Sequence, residues 1–145
     1  MTATPDAVQR LLIEWECTKL VHRYNQLNDV GSFEEAAALF AEDGSYLTPV
    51  TPTPVVGRAA ILEMLRQRPL GTFRHFVTNL VIDVVSAVEA RGKSYLIVVM
   101  SRERDPLKAV ADAPAFSGEV DEHFVLTSAG WRLGHRRGRG GIRFG

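Results

Sequence analysis

Cysteine is almost absent from this chain. The 145 residues contain one, Cys17, and a lone thiol excludes an internal disulfide framework and a thiol-rich zinc site. Apolar runs are also short, because none approaches the roughly 18 residues that a membrane-spanning helix requires. The first residues lack the basic and apolar segments of a secretory signal. We therefore expect a cytoplasmic protein that has no membrane partner.

The chain also has no net charge, since 17 Lys and Arg residues balance 17 Asp and Glu residues. The charges are distributed unevenly, because residues 131–145 carry five arginines and no acid. An end rich in Arg and Gly can bind RNA, but nucleic-acid sites usually combine a broad basic face with aromatic stacking platforms. Residues 136–145 contain a single aromatic ring, Phe144. We expect a basic C-terminal tail over 136–145 and no nucleic-acid partner.

Motifs for nucleotides, metals and a serine nucleophile are missing too. The sequence contains no P-loop, no GxGxxG between a strand and a helix, no HExxH and no GxSxG. The four histidines show no local spacing of metal ligands. We therefore expect neither a cofactor nor a bound metal.

The sequence does contain strong helix signals in its first half. Its length suits one domain, residues 1–145. Thr4-Pro5-Asp6 is typical of a helix start, and the spacing of apolar residues predicts a long helix that ends near Asn28–Gly31. Shorter helices are predicted from Ser32 to Phe40 and over Arg58–Arg68. The predicted buried face of the first helix comprises Val8, Leu11, Leu12, Trp15, Leu20, Val21, Tyr24 and Leu27.

Strand signals dominate the second half. Strands are predicted over 73–88, 94–100 and 116–127, and a final strand begins at Trp131. Helices followed by antiparallel hairpins predict an α+β fold, in which a curved sheet wraps around the long helix.

Three polar residues stand out as candidates for chemistry. His75 shares a strand face with Val77 and Asn79, and an imidazole exchanges protons near neutral pH. The alternative is a buried histidine satisfied by a carbonyl group. Asp29 follows the first helix, where it could simply bond nearby amides, and Tyr24 could be a core aromatic. Five helical residues separate Tyr24 and Asp29 by roughly 140°, so they line one cavity only if the helix ends before Asp29.

An ordered set of short motifs resembles the SnoaL-like branch of the nuclear-transport-factor-2-like superfamily. The motifs are Arg23-Tyr24 with Asp29, Gly31 and Phe33; Leu39–Gly44; Gly57–Ile61; Arg74-His75 with Asn79; and Gly130–Leu133. The resemblance implies a cone-shaped barrel, in which a curved, mostly antiparallel sheet surrounds N-terminal helices and a deep apolar cavity.

The resemblance also implies a set of functions. The family includes cofactor-free dehydratases, a dehydrochlorinase, polyketide cyclases, isomerase relatives and non-catalytic subunits. His75 and Asp29 match the histidine and aspartate of the first two groups, and Tyr24 matches the dehydratase tyrosine that acts on the substrate oxygen. The expected function is a cofactor-independent lyase, a dehydratase, acting on a hydrophobic ring-containing small molecule. An isomerase or cyclase in the same pocket, and a non-catalytic binding or subunit protein, are the alternatives. Expected substrate contacts are Asn79, Tyr46, Trp15 and Phe124.

The run from Tyr95 to Met100 is apolar on both faces of its predicted strand. One face can line the cavity, but the other would be exposed in a monomer, and large exposed apolar patches are unusual in monomers. Together with the resemblance, this pattern predicts a homodimer, with a trimer as the alternative.

Overall fold

A computed structural model describes residues 4–111 and 114–142, which form helices first and long strands afterwards. The helices are α1 (Ala7–Asp29), α2 (Phe33–Ala38) and α3 (Arg58–Arg66). The strands are β1 (Phe40–Leu47), β2 (Val55–Val56), β3 (Thr72–Val84), β4 (Glu89–Ser101), β5 (Pro114–Thr127) and β6 (Gly130–Gly140). The predicted α+β class is confirmed.

The strands form one curved sheet in the order β2-β1-β6-β5-β4-β3. All neighbouring pairs are antiparallel except β1 and β6, which run parallel. Within the described residues the edge strands β2 and β3 do not pair with each other, so the sheet is open rather than closed into the expected barrel. The sheet presents its inner face to the helices, and the side chains that carry the site lie on that face.

Helix α1 begins with a capping box, because Asp6 accepts from the Gln9 amide and Gln9 reaches back to the Asp6 amide. The N-cap is therefore Asp6, the last residue of the Thr4-Pro5-Asp6 start signal. The helix continues to Asp29, which confirms the predicted end. No helix among the described residues is both long and apolar enough to span a membrane.

The prediction of a single buried face on α1 was wrong for its first half. The face against the sheet consists of Ile13, Cys17, Leu20, Val21, Tyr24 and Leu27. Four apolar residues lie on the opposite side, about 180° away at 100° per residue. This outer stripe comprises Val8, Leu11, Leu12 and Trp15, which are 58–67% exposed. Sequence spacing could not distinguish the two stripes, because both repeat with the helical period.

Strand β3 contains a bulge that changes which residues face the helices. Its register with β4 shifts between Thr78 and Val81, and Asn79 adopts a positive φ of 53°. Asparagine tolerates this left-handed conformation better than most residues. Before the bulge odd-numbered residues face inward, whereas after it Ile82 and Val84 pack into the core. Asn79 is exposed, so it does not share the inner face with His75 as predicted.

Strand β6 extends much further than its sequence suggests. It runs to Gly140, and Arg136 within it is 1% exposed. The expected basic tail over 136–145 is therefore largely sheet up to Gly140. Glycines at alternate positions explain this, because Gly138 and Gly140 give the strand no side chains on its inner face and so hide its apolar pattern.

Candidate functional site

The carboxylate of Asp29 is joined to His75 by two hydrogen bonds. The His75 backbone N–H donates to Oδ2 at 3.2 Å, and ring Nδ1 lies 2.5 Å from Oδ1. Both side chains are close to buried, at 11% and 12% exposure. Asp29 is the last residue of α1, and His75 lies near the start of β3. The contact therefore joins residues that are 46 positions apart in the sequence.

This geometry favours one tautomer of the neutral imidazole. An ionised carboxylate accepts only, so a neutral His75 ring that donates to it carries its proton on Nδ1 and leaves Nε2 as an acceptor. Nε2 has no hydrogen-bond partner among the described residues. The ring lies on the inner face beside Phe73 and Val77, and its strand partner is Val98. The pair therefore presents a proton acceptor to an apolar surface.

A second polar cluster lies between α1 and the strands β1 and β6. Tyr24 is fully buried and packs edge-on against Phe40 and Tyr46, with ring centroids 5.6 and 6.3 Å apart. The Arg136 guanidinium lies 4.6 Å from the Tyr24 ring centroid and 5.7 Å from that of Tyr46. The Tyr24 hydroxyl has no partner among the described residues. Burial raises the pKa of the Tyr24 phenol, so it remains a proton donor.

Arg136 also forms a buried ion pair with Glu122 on the neighbouring strand β5. Burial raises the pKa of the Glu122 carboxyl, and Arg136 opposes this shift. Burial would lower the pKa of the Arg136 guanidinium, but Glu122 and the nearby tyrosines outweigh it and raise that pKa. Gly92 faces Glu122 across β4 and β5, where a Cβ atom would lie 2.9 Å from Phe124 and 3.3 Å from the carboxylate. The pair is therefore enclosed by close packing.

Sequence reasoning missed both members of this ion pair. A usable signal was present, because Glu122 occupies the same alternating face of β5 as Val120 and Phe124. A carboxylate on an apolar face requires a buried cation. Arg136 was instead assigned to the tail, so the partner was not recognised.

The other expected substrate contacts are scattered. Tyr46 lies in the second cluster, and Phe124 is fully buried in the core. Trp15 belongs to the outer stripe of α1 and is 58% exposed, away from the inner face. Tyr24 and Asp29 diverge because α1 remains helical through Asp29, as the 140° separation requires. The structure thus brings Asp29 and His75 together and places Tyr24 in a separate cluster.

A cavity of about 540 Å³ opens beside Asp29. It differs from the deep apolar cavity that the resemblance implies, because four arginines line it. We call it the arginine pocket, and its lining comprises Asp29, Val30, Gly31, Phe33, Arg66, Arg68, Pro69, Leu70, Gly71, Thr72, Arg74, Arg104 and Pro106. Burial lowers the pKa of the Arg68 guanidinium, whereas Asp29 and Tyr24 oppose this shift. Among the described residues, no cluster of side chains has the composition of a metal site.

Comparison with known families identifies the class of protein to which this fold and site belong. The model of the SnoaL-like domain matches residues 9–137, which is most of the chain. The protein therefore belongs to the SnoaL-like domain family, as its motifs indicated. A comparison with curated proteins gave no match.

Solved structures show the same fold. A nuclear-transport-factor-2-like protein with a cystatin-like fold from Novosphingobium aromaticivorans is 25% identical, with a TM-score of 0.76 over 92% of this chain and 86% of that chain. A protein of unknown function from Mycobacterium tuberculosis is 25% identical, with a TM-score of 0.78 over 95% and 78%. A protein provisionally named scytalone dehydratase, also from N. aromaticivorans, is 21% identical, with a TM-score of 0.79 over 94% and 89%.

Proposed function

We propose that this protein binds a hydrophobic ring-containing small molecule and acts on it as a cofactor-independent lyase of the dehydratase type. The observation that carries the proposal is the Asp29–His75 pair, in which one carboxylate oxygen accepts from the His75 backbone N–H and the other contacts ring Nδ1. The provisional name of the Novosphingobium neighbour agrees with this reaction class.

In the proposed reaction His75 is the general base. Its Nε2 takes a proton from a substrate carbon, and the electrons of that C–H bond form a carbon–carbon double bond. The C–O bond at the adjacent carbon breaks, and the departing hydroxyl takes the proton from the His75 imidazolium and leaves as water. Tyr24, which was expected to act on the substrate oxygen, lies in the separate cluster and takes no part in this step. Asp29 is a positioning residue, since it holds the tautomer and stabilises the imidazolium.

The partly buried environment suits this chemistry. His75 and Asp29 are 11% and 12% exposed, and solvent screens the interaction of such a pair much less than that of exposed groups. The Asp29 carboxylate therefore stabilises the positive charge that His75 gains when it takes the proton.

An isomerase or cyclase is the alternative reaction, because the same base serves both. Isomerisation returns a product of unchanged mass, whereas dehydration returns one lighter by a molecule of water. Mass spectrometry of products from a panel of cyclic hydroxyketones separates the two. A ligand that is bound and recovered unchanged indicates instead a non-catalytic binding protein.

The decisive experiment compares His75→Ala with wild type on a substrate from that panel. Loss of a general base should lower kcat by about 10²–10⁴-fold. His123→Ala is the matched control, since His123 lies on the outer side of β5 and contacts Glu89 rather than Asp29. Near-native turnover by His75→Ala would show that the assignment is wrong.

We further propose that the protein forms a homodimer through the outer face of its sheet. Phe76 and Tyr95 are 52% and 50% exposed there, and Phe76 pairs with Ile97 across β3 and β4. Val99 extends the same apolar surface, which we call the outer patch: Phe76, Tyr95, Ile97 and Val99. A contiguous apolar surface of this kind commonly marks an interface.

A further inference from the structure

The arginine pocket has a charge that its own residues do not balance. Its lining includes four arginines and one carboxylate, Asp29. Arg66 is neutralised by Glu34 and Glu63, at 2.5 and 2.8 Å. Asp29 is already engaged by His75.

The other three arginines have no such partner. Among the described residues, Arg68, Arg74 and Arg104 form no ion pair within 4.0 Å. Within the part of the chain that the structure describes, the Arg74 guanidinium donates only to the carbonyl of Phe73, at 2.6 Å. Three cations that converge on one concave surface repel each other and raise the local concentration of anions. The pocket is therefore built to attract negative charge.

One of these arginines is held in a defined orientation. The Arg68 guanidinium lies 4.0 Å from the Phe73 ring centroid and 5.0 Å from that of Phe33. Its Nη1 donates to the carbonyl and side-chain oxygens of Asn28, at 2.5 and 2.9 Å. Nη2 has no partner among the described residues. A guanidinium fixed in this way has lost its flexibility before a ligand arrives, which favours binding of a carboxylate or phosphate.

The remainder of the lining is apolar. Phe33, Pro69, Leu70 and Pro106 complete the walls, and Leu70 is 67% exposed. Asp29 forms the wall toward His75, and its negative charge repels an anion from that side. An elongated molecule would therefore place its anionic end on the arginines and its carbon frame toward the Asp29–His75 pair.

We infer that the arginine pocket is the subsite for an anionic group, a carboxylate or phosphate, attached to the apolar frame of the substrate. The inference rests on the proposed function, because it names the class of molecule that the Asp29–His75 pair would act on. A plain hydrophobic substrate, as the sequence suggested, would leave three arginines without a role.

Calorimetric titrations at low ionic strength with benzoate, inorganic phosphate and the neutral benzamide test the inference. We expect benzoate to bind wild type at least about tenfold more tightly than benzamide, since a hydrogen bond between two charged groups is stronger than one to a neutral amide. Binding of phosphate as well indicates a site for any compact anion, whereas benzoate alone indicates a carboxylate on an apolar frame. Equal affinity for benzamide, or no binding of either anion, overturns the inference.

Variants locate the site. Arg74→Gln/Arg104→Gln, at two exposed positions, should weaken benzoate binding by about tenfold or more. Arg102→Gln is the matched control, because Arg102 is an exposed arginine near Arg104 that does not line the pocket. Unchanged binding by the double variant also overturns the inference.

A further variant separates this inference from the proposed function. His75→Asn removes the imidazole, but its amide can still donate to Asp29, so this variant should bind benzoate as wild type does, whatever its effect on turnover. Retained turnover in His75→Asn with intact benzoate binding would refute only the catalytic proposal. Lost turnover in His75→Asn on a neutral substrate, without anion binding by wild type, would refute only the subsite.

Discussion

Asp29 holds His75 at both carboxylate oxygens, one through the backbone N–H and one through ring Nδ1. A single contact would leave the ring free to turn, but the backbone bond fixes the carboxylate relative to the strand. The imidazole is therefore held in one direction, with Nδ1 toward Asp29. A histidine that merely satisfied a buried carbonyl group would lack this carboxylate contact.

Replacing Asp29 by asparagine should remove the carboxylate that holds Nδ1 of His75 while keeping the shape of the side chain. We expect the fraction of His75 with a proton on Nδ1 to fall, since an amide can also donate to that nitrogen. Nitrogen-15 NMR of the histidine rings measures the tautomer without a substrate. Turnover should fall by about 10²-fold or more. An unchanged His75 tautomer in Asp29→Asn would contradict the positioning role.

The Glu122–Arg136 pair should show strong energetic coupling. Its side chains are 0% and 2% exposed, so removing one partner leaves a buried charge and should cost about 3–5 kcal/mol in the free energy of unfolding. Arg136→Met and Glu122→Gln test each partner, and the double variant should recover most of the loss. Urea unfolding of all four proteins measures the coupling, and additive losses would show that the pair is not coupled.

The Arg136→Met variant should also depend on pH in a defined direction. Burial raises the pKa of Glu122, and the variant lacks the cation that opposes this shift. The folded state then binds a proton more tightly than the unfolded state, whose carboxyl titrates near 4.5. Its stability should therefore fall as pH rises above that value. Urea unfolding at pH 5 and pH 7 measures the change, and a variant less stable at the lower pH would contradict it.

Cys17 should be inert in the folded protein. It is fully buried, and burial raises the pKa of its thiol from 9.0 to about 12. A thiol reagent at pH 8 should modify the protein only after denaturation, because the thiolate is the reactive form. Fast labelling of the folded protein would contradict the burial of this face of α1. Between pH 9 and 12 the unfolded thiol ionises first, so wild type should lose more stability than Cys17→Ala.

The outer stripe of α1 is a second exposed apolar surface and thus an alternative interface for the proposed dimer. Ile97→Lys in the outer patch should yield a monomer in light scattering at low micromolar concentration, because a buried lysine in an apolar interface is costly. Leu12→Lys in the outer stripe of α1 should leave the dimer intact. Dissociation by Leu12→Lys alone would move the interface to the helix. A wild-type mass near the 16.0 kDa of one chain would exclude both.

Some features of the site could be predicted from local sequence. The Val30-Gly31 pair marks the end of α1, so it also positions Asp29 at the helix terminus. Alternation around His75 indicates a strand with an apolar inner face. These signals are local, since each depends on residues within one or two turns or on one strand.

Other features depend on how distant elements pack. Asn79 leaves the inner face because the pairing of β3 with β4 shifts there, and a bulge of this kind has no clear signal in one strand alone. Arg136 enters the core because Glu122, on the neighbouring strand, supplies its counter-charge. The arginine pocket combines the ends of α1 and α3 with the β4–β5 loop, so no sequence window contains it.

By itself, the sequence determined the α+β class and the order of the three helices and of the long strands β3 to β6. Periodicity and turn residues suffice for these, because they reflect the local preferences of the backbone. The meeting of Asp29 and His75 was expected from the family resemblance rather than from any local pattern. Only the tertiary structure decided which stripe of α1 is buried, that Arg136 is a core residue, and that three arginines face one pocket. Those outcomes follow from burial and charge balance between elements far apart in the chain, which no local pattern specifies.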